Sequence, residues 1–356
     1  MILENISSSL RIAHETLPEF LEVYPSRFLP TRKEWDGRKV RIIDEPEREL
    51  KRLQRTRLLR SFQRWGFHHP RAYAGPQGRN HVAAARQHLG AQWIINRDVY
   101  NAFPSVTPQM MHTELVSRGF RPEVVKALVT LFTLRGRIPQ GSPLSNIALN
   151  LAFYRIDHQL STLCGRLGLN YTRYADDINV SCAKSRRGRR VRIPDLCQEI
   201  ESAIRSVGVE VNSNKKRKRG FQGLEKVKVV HGCMVSGDDY VLLAPNHETR
   251  LIALAEKYPR RAKSVSSEGL RLFWKKRSQL VGFAWCASQL DDRQLVKHVW
   301  QKIYLGDRIL DNRLVRDGAI RAGERWFMMA IDGVVNRWMK VRRVHRPRAL
   351  GLESVS

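Results

Sequence analysis

The chain has 356 residues, 42% hydrophobic and 27% charged, a composition that can bury a real core and excludes a disordered polymer. Its 63 Lys and Arg against 34 Asp and Glu leave a formal charge of +29, an excess that repels itself unless nucleic acid or an anionic membrane surface neutralises it. No run of about 18 apolar residues offers a bilayer span, no signal-peptide pattern opens the chain, and the basic residues are spread along it rather than gathered on one amphipathic helix.

Residues 1–35 read as helical and irregular, with apolar positions at Leu17, Phe20 and Leu21. Residues 39–43 alternate charged and aliphatic side chains, the period-two pattern of a half-buried strand, which sets Lys39 and Arg41 on one face. After a turn at 44–46, residues 47–65 follow helical spacing through Leu50, Leu53, Leu58, Leu59 and Phe62 and carry a dense row of Arg and Lys. A Pro-, Gly- and His-rich loop over 68–80 leads to a short helix over 81–89. Residues 92–98 (Q-W-I-I-N-R-D) read as a strand, ending at a turn marked by Pro104. Helices follow over 107–118 and 122–134, then a break at 135–142 and one long helix over 143–164.

A hairpin is expected over 168–184, with strands at 169–174 and 178–183 and Ala175, Asp176 and Asp177 at its turn. A basic loop over 184–192, a helix over 193–207, a short strand at 210–212 and a cationic turn at 215–219 come next. Two further strands lie in 226–243, around Gly237-Asp238, and 246–340 is helical throughout. The order is therefore mixed α/β first and all-helical last, with a boundary near 245 and no internal repeat. The five cysteines (Cys164, Cys182, Cys197, Cys233, Cys286) contain no CxxC pair, so neither a zinc site nor a disulfide framework is indicated, and a reducing cytoplasmic setting fits them.

Tyr174-Ala175-Asp176-Asp177 is the most informative tetrapeptide. Adjacent carboxylates at a hairpin tip repel each other unless a cation lies between them, although Asp is common in any solvated turn. A third carboxylate, Asp98, ends an apolar strand, from which a side chain can reach a cleft. Magnesium takes oxygen ligands, keeps several waters and is commonly held by one or two carboxylates plus substrate phosphates. If the two strands lie side by side, Asp98, Asp176 and Asp177 supply those oxygens. Asp195, Asp238 and Asp239 lie in polar, loop-like contexts and are weaker candidates.

In this order the motifs resemble the reverse transcriptase family over roughly residues 37–245. Asn96-Arg97-Asp98 through Phe103-Pro104-Ser105 resembles the first palm motif, and Ile138 to Asn146 (I-P-Q-G-S-P-L-S-N) the second. Tyr174 to Asp177 resembles the third, Gly208 to Lys215 the fourth, and Val230-His231-Gly232 the primer-gripping turn. The resemblance implies an α+β right-hand polymerase fold: fingers and palm, with an antiparallel palm sheet flanked by helices, and an all-helical thumb. The implied divisions are an N-terminal helical extension over 1–36, fingers over 37–92, a palm over 93–245 with a fingers insertion at about 105–137, and a helical thumb with a basic tail over 246–356.

The same resemblance implies roles. Asp98, Val99, Asp176 and Asp177 would hold two Mg2+ ions, with Mn2+ as a substitute. Phe103 would be a steric gate against the 2′-hydroxyl, which implies deoxynucleoside triphosphates as substrates. Gln140 and Gly141 would form a tight turn against the incoming nucleotide or template, and Lys39 and Arg41 would meet its triphosphate. Lys215 would protonate pyrophosphate and so counts with the three aspartates as catalytic. His88, Tyr174, His231 and Gly232 would contact RNA or primer. Leu280 to Phe283 with Trp274, Trp285, Trp300 and Trp326 would form the thumb core, beside basic positions from Arg337 to Arg348.

Within the family the pattern is most similar to the bacterial retron type. No maturase-like or endonuclease extension is visible, and no RNase H carboxylate set follows the thumb. Ala84-Ala85-Arg86-Gln87-His88 resembles the retron N-A-x-x-H signature with Ala84 in place of Asn, and Val230-His231-Gly232 resembles V-T-G with His231 in place of Thr. A retron-type enzyme would copy a cognate structured noncoding RNA into single-stranded DNA, often as a branched RNA–DNA product. It would act with an effector protein in antiphage defence, with no membrane partner. The alternatives are a non-retron or abortive-infection defence enzyme, a group II intron-like enzyme, or a non-catalytic RNA-binding scaffold.

Overall fold

The computed structural model describes residues 2–35, 40–183, 191–213, 220–223, 227–235, 240–264 and 270–316. Lys39, Lys215, Gly237, Asp238, Asp239 and Trp326 lie outside these residues, as do the basic positions from Arg337 onward. The chain forms two compact units, Met1–Val241 and Leu242–Ser356. Among the described residues no helix is long and apolar enough to cross a membrane.

In the first unit, α1 (Ile2–Leu10) and α2 (Leu17–Val23) precede a hairpin of β1 (Arg32–Trp35) and β2 (Val40–Ile43). Strand β1 was not expected within the helical and irregular N-terminal stretch; its four residues are all exposed, so no apolar alternation marks it. Arg41 pairs opposite Glu34 across this hairpin and is exposed. The expected helix over 47–65 is present as α3 (Arg48–Leu53) and α4 (Leu59–Arg64), joined by a π-helical turn at Gln54–Leu58. Its buried Gln54 donates to the Tyr24 hydroxyl at 2.5 Å and accepts from Ser142 Oγ at 3.1 Å. A polar residue facing inward breaks the apolar period of the helix there.

Next come α5 (His81–Arg86), β3 (Ala91–Asp98), the short α6 (Ala102–Ser105), α7 (Pro108–Ser117) and α8 (Pro122–Phe132). The helix expected over 143–164 is two helices, α9 (Ser145–Ala152) and α10 (Tyr154–Leu167), broken at the fully buried Phe153. Then follow β4 (Asn170–Tyr174), β5 (Asp177–Ala183), α11 (Ile193–Arg205) and β6 (Phe221–Gln222). Four strands form one antiparallel sheet in the order β4-β5-β3-β6. Helices α7 to α11 pack their apolar faces with this sheet into one core, through residues such as Ile95, Leu128, Leu149, Tyr171 and Ile200. This is the α+β palm arrangement, small antiparallel sheets flanked by helices. The strand expected at 210–212 is reduced to a single bridge between Val99 and Val211.

A small hairpin of β7 (Val229–Val230) and β8 (Cys233–Met234) closes the first unit. Its turn residues His231 (φ 51°) and Gly232 (φ 80°) both lie in the left-handed region, which tight hairpin turns require and which His tolerates better than most residues. The second unit contains the short strand β9 (Leu242–Leu243) and helices α12 (Pro245–Ser264), α13 (Leu270–Ala287) and α14 (Arg293–Arg316). On α13 the buried positions Arg277, Leu280, Ala284 and Ala287 keep one helical face. Phe283 and Trp285 fall off that face and are half exposed, so they are not the core residues expected, whereas Leu280 and Trp300 are.

His88 is fully buried behind the sheet, with Nδ1 2.7 Å from Ser181 Oγ on β5 and Nε2 2.7 Å from Thr172 Oγ1 on β4. Both ring nitrogens are engaged inside the fold, so His88, two residues past α5, staples the chain there to two strands. Burial, with help from His231 and Arg71, pushes its pKa down to about 3. The folded state therefore holds this ring neutral while the unfolded chain protonates it near 6.5. Its contribution to stability is complete above about pH 6.5 and is lost as pH falls toward 3, with a slope of up to about 1.4 kcal/mol per pH unit. Urea denaturation at stepped pH is expected to show this decline in the wild type and a shallower one in His88→Gln. Equal slopes would remove His88 as the cause.

Candidate active site

Strand register brings the carboxylates together. Asp98, the last residue of β3, lies directly opposite Asp177, the first of β5, and Asp177 is in turn opposite Tyr174. Asp177 is therefore a strand residue, and only Ala175 and Asp176 form the turn. The Val99 N–H donates to the Asp176 carbonyl at 3.0 Å, which ties the turn to the end of β3. One carboxylate oxygen from each of Asp98, Asp176 and Asp177 lies within 4.8 Å of the others. Asp98 is buried and the other two are half-buried. Asn212 fixes Asp98 twice: its backbone N–H donates to the Asp98 carbonyl at 2.7 Å, and its Nδ2 donates to Oδ1 at 2.8 Å.

Three carboxylates this close repel one another at neutral pH. Hard oxygen donors at this spacing suit a divalent cation of the magnesium type, which completes its shell with waters and phosphate oxygens. The acidic cluster can coordinate a divalent metal, and among the described residues it is the one such grouping of His, Cys, Asp or Glu.

The turn that presents Asp176 is itself held from within. Ala175 takes φ 53°, where a hairpin turn ordinarily places glycine and where other residues pay roughly 1–2 kcal/mol. Arg173, fully buried on β4, donates from Nη1 to the Ala175 carbonyl at 2.9 Å. The same guanidinium grips the buried Asp157 of α10 with two bonds, Nε–Oδ1 at 2.8 Å and Nη2–Oδ2 at 2.6 Å, and reaches Asn150 Oδ1 at 3.0 Å. Its carbon lies 5.5 Å from the Phe153 ring centroid, at the break between α9 and α10. The Tyr171 hydroxyl donates to Asp157 at 2.6 Å, and burial with the neighbouring carboxylate holds that phenol well above its usual pKa. Burial opposes the Arg173 charge, but Asp157 more than offsets it and keeps the guanidinium protonated.

A polar chain runs across the sheet toward the third acid. Gln222 donates to Asn96 at 2.5 Å, Asn96 to Asn179, and Asn179 Nδ2 meets His231 Nε2 at 3.1 Å. His231 Nδ1 then lies 3.6 Å from Asp177 Oδ2, and its ring sits 5.2 Å from that of Tyr174. The His231-Gly232 turn and Tyr174 thus flank the acidic cluster. Phe103, half-buried on α6, starts five residues after Asp98 and packs against the core.

The turn at Gln140-Gly141 packs on the protein's own chain. Gly141 has φ 128°, and a Cβ there would stand 3.0 Å from the Asp44 carbonyl oxygen. The Asp44 N–H also donates to the Gln140 carbonyl at 2.8 Å. A close approach that needs glycine is therefore made to the protein's own backbone at Asp44. Arg41 is on the exposed hairpin β1–β2, and Lys39 and Lys215 lie outside the described residues.

Sequence reading missed Arg173, Asp157, Asp44 and Asn212. Asp44, expected in a turn, is fully buried between Arg135 and Arg137, at 3.2 and 3.0 Å, with Thr31 Oγ1 at 2.6 Å. The available signals were an arginine inside a strand, next to the doubled aspartate, and the paired arginines of Arg135-Gly136-Arg137. Neither signal names its partner.

A family model described as reverse transcriptase (RNA-dependent DNA polymerase) matches residues 33–285. The chain is 29% identical over 229 residues to the retron Ec86 reverse transcriptase of Escherichia coli, covering 63% of this chain and 69% of that one. It is 32% identical over 217 residues to the retron Mx162 reverse transcriptase of Myxococcus xanthus, covering 54% and 44% of the two chains. For the retron Mx65 reverse transcriptase of the same organism the figures are 30% over 206 residues, 53% and 47%. The alignments thus span under half the length of the two Myxococcus relatives.

The Arg173 network generates a stability prediction. Arg173→Met leaves Asp157 buried without its cation and is expected to cost about 3–5 kcal/mol in chemical denaturation. Adding Asp157→Leu, which removes the stranded charge, is expected to recover much of that loss. A single-variant cost below about 1 kcal/mol would contradict the network.

Proposed function

The chain belongs to the reverse transcriptase (RNA-dependent DNA polymerase) family, and from that premise we propose that it copies a cognate structured noncoding RNA into single-stranded DNA. It carries a catalytic nucleotidyltransferase domain and is closely related to bacterial retron reverse transcriptases. The observation that supports the catalytic reading best is the meeting of Asp98, Asp176 and Asp177 within 4.8 Å, inside the matched residues.

In this reading those carboxylates, beside the backbone of Val99, would hold two Mg2+ ions, with Mn2+ as a substitute. Bound there, such ions would supply Lewis-acid stabilisation of the attacking hydroxyl and of the leaving pyrophosphate. A primer hydroxyl attacks the α-phosphate of a deoxynucleoside triphosphate, a new P–O bond forms, and the α–β bridging bond breaks to release pyrophosphate. The chain's own residues place the reactants. Phe103, fixed against the core just after Asp98, presents an aromatic face that excludes a 2′-hydroxyl. Arg41 and Lys39 meet the triphosphate, where cations balance the developing charge, and Lys215 supplies a proton to pyrophosphate. Gln140 acts at the nucleotide through a turn that Gly141 and Asp44 hold. Tyr174, His231 and Gly232 meet the primer strand beside Asp177.

The likeness to retron enzymes supports the finer reading: an internal RNA 2′-hydroxyl as primer, a branched RNA–DNA product and a role in antiphage defence with an effector protein. The protein purified with its bound RNA is expected to make DNA when given deoxynucleotides and Mg2+, and the product is expected to shift in size on debranching. Asp176→Asn with Asp177→Asn removes several kcal/mol of transition-state stabilisation and is expected to cut synthesis roughly a thousandfold or more, with the melting temperature kept. Synthesis that survives the double substitution would overturn the site, and a product indifferent to debranching would overturn the branched reading.

A further inference from the structure

The first unit carries a second charged feature, lined by none of the residues of the acidic cluster. A cleft of 740 Å³ opens between the C-terminal end of α1 and the helix made of α3, the π turn and α4. Four arginines line it: Arg11 on one wall and Arg57, Arg60 and Arg64 on the other. The rest of the lining is Ser, Thr and Gln, with no carboxylate and no aromatic ring. Two other large clefts in this unit contrast with it, one bordered by Glu19, Glu22 and Glu123 and one by Glu199. Among the described residues none of the four arginines is in an ion pair with a carboxylate.

The local structure works to keep these cations together. Arg57, Arg60 and Arg64 follow spacings of three and four residues, which stack like charges on one helix side and oppose helix formation. Arg11 ends α1 at φ 59°, with its N–H on the Ser8 carbonyl at 3.1 Å and the Ile12 N–H on that of Ser7 at 3.1 Å. This is the left-handed helix stop that glycine normally occupies; an arginine there is a strained choice, of the kind that clusters at functional sites. The two walls are fixed to each other. Arg57 Nη1 donates to the Leu10 carbonyl at 2.9 Å, and Ser9 Oγ lies 2.6 Å from Ser61 Oγ.

We propose that this cleft binds the phosphodiester backbone of RNA, an anchoring site in which Arg11, Arg60 and Arg64 neutralise phosphates. Guanidinium forks and hydroxyls suit phosphate oxygens. The lining has no aromatic ring on which a base could stack, which favours contact with the backbone over reading of sequence. The proposal rests on the reading of the chain as an RNA-copying enzyme, and its test separates the two.

The full chain with Arg11→Gln, Arg60→Gln and Arg64→Gln is compared with wild type for binding a fluorescein-labelled RNA hairpin of arbitrary sequence across a KCl series. Arg57 is left intact because it ties the walls. The triple variant is expected to bind roughly tenfold or more weakly at physiological salt, with the slope of log affinity against log salt smaller by about two to three. The matching triple Lys variant, which keeps the charge, is expected to keep the wild-type slope. Turnover on saturating primed template and the KM for deoxynucleotides are expected to stay unchanged. Equal affinity and slope in wild type and the Gln variant would overturn the proposal. So would a raised deoxynucleotide KM with RNA binding intact, which would make the cleft a free-nucleotide site. A wild type that bound RNA with the expected salt dependence but made no DNA would sink the polymerase reading and leave the anchoring site standing.

Discussion

Three carboxylates within 4.8 Å of one another are an electrostatic liability until a cation sits among them, so the fold must hold them there by force from elsewhere. The force comes from one buried guanidinium. Arg173 is satisfied on one side by Asp157 and Asn150 and on the other by the carbonyl of Ala175. It thereby converts the packing of α9, α10 and β4 into the left-handed turn that sets Asp176 beside Asp177. The pairing of β3 with β5 then delivers Asp98 opposite Asp177, and Asn212 pins Asp98 from behind. A buried ion pair adds little net stability compared with an apolar pair. Its use here is geometric: it specifies one turn.

The electrostatics of the first unit have two poles. The acidic cluster is a small negative focus in a chain whose formal charge is +29, and the surrounding cations favour the approach of a polyanion whose reacting end must meet that focus. The Arg11 cleft belongs to the same logic, since it concentrates positive charge where no carboxylate answers it. One region does chemistry with metal-binding oxygens, and the other holds backbone with guanidinium groups.

Much of this was legible in the residues because period and turn chemistry carried it. The apolar run into Asp98, the Y-x-D-D turn and the order of the motifs were enough to anticipate the α+β palm and its family. The sequence could not show what a charged residue does once buried. Arg173 and Asp44 looked like ordinary polar positions in a strand and a turn, yet both are fully enclosed and organise their surroundings. For His88 the motif resemblance implied RNA contact and gave no sign that Ser181 and Thr172 engage both its nitrogens in the core. Gly141 was read as a site of close approach, and one group that approaches it is the Asp44 carbonyl. Burial partners distant in sequence leave no periodic trace, so these contacts had to be seen in three dimensions.

The central claim is that Asp98 joins Asp176 and Asp177 in one divalent-metal site. Electron paramagnetic resonance of Mn2+ titrated into the full chain tests it without relying on catalysis, because bound and free Mn2+ give distinct signals. The account predicts saturable Mn2+ binding by the wild type and its marked weakening in Asp98→Asn, with the melting temperature kept. Mn2+ binding of equal strength in the two proteins would contradict it.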